Sequence, residues 1–307
     1  MNEIEREKLE KKLLFSNGDL HVYANITKKE FPELYGEIRQ ISEREFKIED
    51  AYDRFDETYK YLVCISEYNN PEELPFEKTY EIVSFYRYIL CKHAFSQKDI
   101  SFNLSTNKFY DYSFRFKMLL PATLELGRSV VNHNSQMAKK GLESIWMGLG
   151  ALIDYYSKNE NIKFLFGEVS LQKSRYHMDN IWESDSLESI VSCFIKNFGN
   201  DSIITPKNPI FTKTELLQFA KEKDFSGDFS KDSIKLRQLL KSRNMPIPQL
   251  FFHYANLVEQ DGLSMYLPVN NNLLNCYEMG LLLRIEKIQK HCLNHFVPKS
   301  YRKQAFQ

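Results

Sequence analysis

The chain has no surplus of either charge. Its 41 Lys and Arg residues are matched by 41 Asp and Glu, so the formal net charge is zero and no global field attracts nucleic acid. Cysteine is sparse, and Cys64, Cys91, Cys193, Cys276 and Cys292 form no C-x-x-C pair. That scatter argues against a zinc site or a disulfide framework and fits a reducing cytoplasm. No apolar run approaches the length that spans a bilayer. The opening residues, MNEIEREKLEKKLLF, are too charged for a secretory leader. Internal repeats and low-complexity segments are missing. So are a G-x-S-x-G elbow, a P-loop, a Rossmann glycine pattern and H-E-x-x-H. Their absence removes the hydrolase, nucleotide-binding and zinc-protease readings that each would support.

What is present supports a real core: 43% of the residues are apolar and 14% aromatic. The organising stretch is 118–171. Thr123 to Val131 alternates and is rich in Leu and Val, which predicts a strand. Glu125 and Arg128 interrupt it, and charges inside a buried strand are costly unless paired or used. Gly127 between them marks either a bulge or tight packing against a helix. A polar loop over 132–141 carries Gln136, Lys139, Lys140 and Gly141. Beyond it Leu142, Ile145, Trp146, Leu149, Leu152, Ile153 and Tyr156 fall at helical spacing on one buried face. Residues 163–171 predict another buried strand. A strand feeding a polar loop and then a helix points backbone N–H groups at the loop, an arrangement that favours phosphate-like anions.

The runs DAYDRFDETYK, YRYIL, LPATLELGRS and FLFGEVS, with Gln136, Gly141 and the Trp-bearing helix, resemble the acyl carrier protein-dependent branch of the GNAT acyltransferase superfamily. The likeness is greatest to bacterial lipid N-acyltransferases that acylate glycine or ornithine, often labelled hemolysin-like. Acyl-homoserine lactone synthases are more distant. The resemblance runs from around Gly18 to Ile288. It implies an α/β, GNAT-like fold: one domain over 1–307 with a mixed, largely antiparallel central sheet flanked by helices. It also implies an acyltransferase. The enzyme would move a long fatty acyl chain, plain or 3-hydroxylated, to the amino group of a small amino acid in aminolipid synthesis. Glycine is the favoured acceptor and ornithine the next. No tightly bound cofactor is implied. The donor is the acyl-phosphopantetheine of acyl carrier protein, with acyl-coenzyme A as the alternative. The implied partners are that carrier protein, the amino acid and a peripheral contact with the inner face of the membrane, without nucleic acid. A second reading is a non-catalytic acyl carrier or acyl-chain binding protein on the same scaffold, because fold alone does not establish activity.

GNAT-type transfer is direct attack of an amine on a thioester and needs no metal. It needs a base, donors for the carbonyl oxygen and a grip on the phosphopantetheine arm. Glu125, projecting from the central strand, reads as base or amine-orienting group, or else as a structural partner of Arg128 or Arg87, and the resemblance implies Arg128 as a substrate-orienting or network residue. It implies Asp53 as the acidic residue of the acceptor site, with Val130 and Val131 as backbone partners of the pantetheine arm. A bulge at Gly127 would free an N–H for the thioester oxygen. Arg87 sits in an apolar strand and wants a carboxylate or a bound anion, with Asp53 or Glu125 as structural partners. Arg39 and Arg87 join Arg128 as candidates for holding the acceptor's carboxylate. Gln136, Lys139, Lys140 and Gly141 form the phosphate loop, but Met137-Ala138-Lys139 omits the first glycine of the usual GNAT pattern. That weakens a coenzyme A diphosphate cradle and suits the single phosphate of a carrier protein. Tyr176 is a candidate acid for the leaving thiolate, while His133 and His177 read as ordinary loop histidines. The His–Asp motif of glycerolipid O-acyltransferases is absent.

The flanks yield further expectations. A charged N-terminal helix over 1–16 has a thin apolar seam at Ile4, Leu9 and Leu13. Asn17-Gly18 is a turn, Leu20 to Ile26 a strand, and Pro32 opens a helix with Leu34, Tyr35, Ile38 and Ile41 on one side. Tyr61 to Ser66 and Glu81 to Leu90 predict strands. Asp185 with Glu188, and Thr212 with Glu215, fit capping boxes. A helix follows over 231–243, and 200–232 reads as an insertion. MPIPQLFFHYANLV and SMYLPV predict strands. Residues 278–288 read as a strand or a helix, the resemblance favouring a strand. The basic tail over 290–307 reads as solvated, with docking to an acidic carrier protein or lipid surface as the second reading.

Overall fold

Gly18, at φ +62°, turns strand β1 (Leu13–Asn17) back onto β2 (Leu20–Ile26), with Asn17 opposite Leu20. The predicted N-terminal helix therefore stops early. Helix α1 covers Glu3–Lys11, and the chain is extended from Leu13 because Leu13, Leu14 and Phe15 bury as strand residues. Of the predicted seam, Leu9 and Leu13 are buried and Ile4 is exposed. Glu5 is buried too, and its carboxylate accepts the amides of Glu33 at 2.9 Å and Leu34 at 3.2 Å. It thereby caps α2 (Pro32–Phe46), whose own N-cap residue, Phe31, makes no side-chain cap.

This computed structural model describes residues 3–69, 78–96, 101–173, 185–200 and 202–306. They fall into two units. One comprises Met1–Phe102, Leu124–Ile162 and Lys290–Gln307, the other Asn103–Thr123 and Lys163–Gln289. In the first, β3 (Lys60–Asn69), β4 (Lys78–Leu90) and β5 (Thr123–Val131) extend the hairpin in the order β1-β2-β3-β4-β5, every pair antiparallel. Tyr61 lies opposite Arg87, Arg87 opposite Gly127, and Ile89 opposite Glu125. Strand side chains alternate, so Tyr61, Arg87, Ile89 and Glu125 share one face. On that face Leu34, Tyr35, Ile38 and Ile41 of α2 pack with Tyr61, Val63, Phe85 and Val130. Helix α3 (Ala138–Glu160) covers the other face, where Tyr156 meets Tyr88 with ring centres 6.4 Å apart.

Helix α3 starts at Ala138, so Lys139, Lys140 and Gly141 belong to its first turn and not to a loop. Leu142 is exposed, whereas Ile145, Leu149, Leu152, Ile153 and Tyr156 bury as their spacing predicts. The basic tail is docked rather than solvated. Residues Lys290–Phe296 are helical, Phe306 is buried and stacks on Tyr155 at 4.5 Å, and the Arg302 amide donates to the Leu14 carbonyl at 2.8 Å.

In the second unit β6 (Phe164–Gln172), β7 (Leu263–Met265) and β8 (Val269–Asn271) all pair antiparallel with β9 (Cys276–Arg284). Strand β9 answers the strand-or-helix question at 278–288. The helices are α4 (Asp185–Phe198), α5 (Lys213–Glu222), α6 (Phe229–Ser242) and α7 (Gln249–Leu257). The Thr212–Glu215 capping box forms as predicted. Helix α7 overturns the strand prediction for MPIPQLFFHYANLV. Its aromatics suggest β structure, but Phe251, Phe252 and Ala255 bury at helical spacing, with Phe251 and Phe252 packed on Phe194. Within SMYLPV only Ser264 and Met265, at the end of β7, and Val269, at the start of β8, lie in ladders. Residues 200–232 contribute a strand, Ile204–Pro206, that pairs with Tyr110–Tyr112, as well as α5. Antiparallel ladders flanked by helices give the mixed α/β architecture that the resemblance implies. No helix among the described residues is long and apolar enough to cross a membrane.

Candidate active site

The turn leading into β3 builds the centre of the site. Asp53 caps a single 3-10 turn, Arg54–Glu57, accepting the Phe55 amide at 3.3 Å, and the Asp53 amide donates back to Asp56 Oδ2 at 3.1 Å. This capping box turns Asp56 inward, where it is fully buried. Its Oδ1 accepts from Arg87 Nη1 and from the Tyr61 hydroxyl, each at 2.7 Å. Its Oδ2 accepts from the Tyr35 hydroxyl at 2.7 Å and from Arg128 Nη1 at 3.0 Å. Donors from α2, β3, β4 and β5 thus converge on one carboxylate. Burial pushes the Asp56 carboxyl up, but Arg128 and Arg87 outweigh it and hold it below its ordinary value. Burial likewise works against the Arg87 charge, and Tyr61, Asp56, Tyr59 and Asp53 more than restore it.

Asp53 was the acidic residue singled out from sequence. Its Oδ2 lies 3.4 Å from Arg87 Nη1 and 3.9 Å from Arg128 Nη2. The central position belongs to Asp56, which the sequence reading missed. The D-x-x-D spacing of the capping box was its available signal. The side chains of Asp56 and Arg87 are 0% and 5% exposed, whereas those of Asp53 and Arg128 are 12% and 13% exposed. The last two keep a small exposed area at the edge of the cluster.

Arg128 has φ +46°, in the left-handed region. The β4–β5 register passes from Arg87 opposite Gly127 to Phe85 opposite Val130, so Arg128 and Ser129 together oppose Tyr86. This is a β-bulge. Gly127 signalled it, yet Arg128 takes the unusual backbone, at a strain of about 1–3 kcal/mol. Strict alternation would turn Arg128 toward the α3 face. The extra residue brings its side chain to Asp56 on the Arg87 face instead.

Glu125 is fully buried on the same face and accepts the hydroxyl of Tyr59, which is itself fully buried. The Arg87 guanidinium lies 4.7 Å from the centre of the Tyr59 ring. Glu125 therefore joins the charged cluster through Tyr59, while the ion pairs of Arg87 go to Asp53 and Asp56.

After β5 the chain is fixed by Asn132. Its amide donates to the Val83 carbonyl and its Nδ2 to the Ile82 carbonyl, both at 2.9 Å, and its Oδ1 accepts Arg44 Nη2 at 2.6 Å. Because the Asn132 amide faces β4, strand alternation turns the Val131 amide away from β4. The Val130 side chain is buried in the α2 core. Gln136, Lys139 and Lys140 are exposed. Gly141 is buried against β4. Its carbonyl accepts the Ser84 hydroxyl at 2.9 Å, and a Cβ there would stand 2.2 Å from Val83 Cγ1. His133 binds Glu45 through Nδ1 at 2.8 Å, as an ordinary loop histidine does. The structure brings Asp53, Arg87, Arg128 and Glu125 together around Asp56 and Tyr59. Arg39 instead pairs at the surface with Glu43 at 2.8 Å and Asp50 at 3.1 Å. Tyr176 and His177 lie outside the described residues.

Residues 33–147 match the family described as Acetyltransferase (GNAT) domain. That segment runs from α2 into α3 and contains the whole cluster. That segment matches a GNAT domain, and the chain is an acyltransferase. Along most of its length the chain is similar to a glycine N(alpha)-acyltransferase of Phocaeicola vulgatus, 28% identical over 299 residues, covering 91% of this chain and 84% of that protein. A glycine N(alpha)-acyltransferase of Bacteroides thetaiotaomicron is 27% identical over 296 residues, covering 89% of this chain and 79% of its own. Among solved structures, a CoA-dependent acyl-homoserine lactone synthase with MTA aligns over 93% of this chain and 95% of its own, at 10% identity and a TM-score of 0.36. That likeness is too remote to bear on the chemistry.

Proposed function

We propose that this GNAT enzyme moves a long fatty acyl chain from acyl carrier protein to the amino group of glycine, with ornithine the next acceptor. The reaction would serve aminolipid synthesis on the cytoplasmic side of the membrane. One observation carries the reading: on β5, Glu125 is held by Tyr59 beside a charged rim, Asp53 and Arg128, at a bulge. The names of the two similar proteins, both glycine N(alpha)-acyltransferases, support glycine as acceptor.

In this reading Arg128, backed by Arg87, receives the acceptor's carboxylate, and Asp53 orients its ammonium group. Glu125 takes the amine proton through the Tyr59 hydroxyl or a water. The amine nitrogen then attacks the thioester carbon, the C–N bond forms, and the C–S bond breaks as the carrier thiolate leaves and is protonated. A backbone N–H at the bulge receives the carbonyl oxygen. The backbone of Val130 and Val131 follows the pantetheine arm. Gln136, Lys139 and Lys140 meet its phosphate at the start of α3, which Gly141 lets settle against β4. The lysine pair suits the acidic surface of a carrier protein. Arg39, engaged with Glu43 and Asp50, has no part in this scheme.

The test is free-thiol release from long-chain acyl carrier protein with a panel of amino acids, followed by mass spectrometry of the product. Glycine-dependent release with N-acylglycine formation is expected. Glu125→Gln should lower turnover by roughly 10²–10⁴-fold while carrier binding persists. Unaltered turnover in that variant sinks the proposed base. Release only from acyl-coenzyme A overturns the donor. Carrier binding without release for any acceptor favours the non-catalytic scaffold.

A further inference from the structure

A short helix in the second unit, Phe114–Leu119, holds two large apolar side chains in water. Phe114 is 78% exposed and Met118 65%. Four residues apart on a helix, they share one face. Arg115 and Lys117, both exposed, bracket them. The helix is firmly seated. The Ser113 hydroxyl oxygen accepts the Phe116 amide at 3.2 Å. Phe116 is fully buried, its ring centre 4.9 Å from Phe166 and 5.1 Å from Tyr112, and Leu120 is buried at the helix end. Phe114 and Met118 therefore cannot turn inward without withdrawing Phe116. Single exposed apolar residues are ordinary. A rigid apolar pair bracketed by two cations is not explained by packing within the unit.

We propose that Phe114–Leu119 docks the enzyme on an anionic lipid surface. Phe114 and Met118 enter the acyl boundary of the bilayer, and Arg115 and Lys117 pair with lipid phosphates. Charge and shape select this occupant. The two cations call for an anionic surface. The projecting side chains match a deformable lipid layer, into which an amphipathic helix sinks its apolar face. The inference deepens the proposed function, since a long-chain N-acyl amino acid is an amphiphile that leaves into a lipid phase. The helix's geometry stands apart from that reading.

The experiment is co-sedimentation of the full chain with phosphatidylglycerol–phosphatidylcholine vesicles and with phosphatidylcholine vesicles alone. The unaltered protein should sediment with the anionic vesicles, and less so as salt rises. Phe114→Ser with Met118→Ser should lower partitioning by roughly tenfold or more. Arg115→Gln with Lys117→Gln should lower it by roughly fivefold per charge and blunt the salt dependence. All four positions are exposed, so thermal melting of both double variants should match the parent. The proposal is overturned if the parent ignores anionic vesicles, or if the Phe114/Met118 double variant partitions unchanged. It is also overturned if that variant loses carrier-protein binding while keeping vesicle binding, which would make the surface a protein contact. Thiol release by the parent is read separately, so failure of acyl transfer and failure of lipid docking are distinguishable.

Discussion

Asp56 in the first unit and Asp232 in the second are both buried carboxylates that gather several donors. Asp232 gathers neutral ones: the amides of Ser226 and Gly227, the Ser226 hydroxyl and the Asn197 side-chain amide. Most come from its own neighbourhood, and together they clasp the chain before α6 to α4. Asp56 gathers two guanidinium groups and two phenols, one of them from a residue 72 positions away. Both carboxyls sit below their ordinary value. In each case burial works upward and is outweighed, by Arg128 and Arg87 at Asp56, and by the Ser226 amide and Asn197 at Asp232. Burial and a lowered carboxyl therefore do not separate a site from a clasp. The nature of the donors does. A clasp can be built from amides, whereas a pocket for the amino acid proposed here as acceptor would need ion pairs that can be exchanged with it.

Asp56→Ala should have the largest effect. It strands two partly or fully buried guanidinium groups and should cost about 3–5 kcal/mol in denaturant unfolding, with acyl transfer abolished. Asp232→Ala should cost about 1–3 kcal/mol and leave kcat unchanged in the folded enzyme. An equal collapse of kcat there would break the contrast. Tyr59→Phe is a finer probe, because it keeps the ring beneath Arg87 and removes the hydroxyl that donates to Glu125. Turnover should fall by roughly tenfold with little change in melting temperature, and the substitution should add nothing in a Glu125→Gln background. Full additivity would detach Tyr59 from Glu125.

The smallest expected effect is in acid. A carboxyl whose folded-state value is depressed contributes stability that is present above its unfolded value, 3.8 for Asp56 and Asp232, and is lost as pH falls through the lower folded value. Stability should therefore decline as pH drops below about 4. Asp232→Asn should flatten that decline without touching activity at neutral pH. Thermal melts as steep in pH as those of the parent would remove Asp232 from the account.

Local signals in the sequence carried much of this fold. The boundaries of β2 and β5, the Pro32 start of α2 and the Thr212–Glu215 box are written in residues that act within a few positions of themselves. Glu125, Arg128 and Arg87 stood out because charge in an apolar strand needs a partner. Long-range facts decided the rest. Asp53 and Asp56 look alike in DAYDRFDETYK, and only Tyr35, Tyr61, Arg87 and Arg128 determine which is buried. Gly127 left a bulge and tight helix packing both open, and the ladder with β4 decided for the bulge and put the left-handed backbone on Arg128. In α7, aromatic residues concealed a helical period. In the tail, surface lysines concealed the Ala305–Phe306 anchor.

At position 141 a side chain is excluded by Val83, a neighbour on β4, whatever binds in front of α3. A survey of tolerated substitutions would find this glycine as invariant as one that cradles a phosphate, for a different reason. Selection there guards the seam between helix and strand. The exposed Lys139 and Lys140 are under no such constraint from the core. Whether those two drift or hold is what would record the identity of the donor.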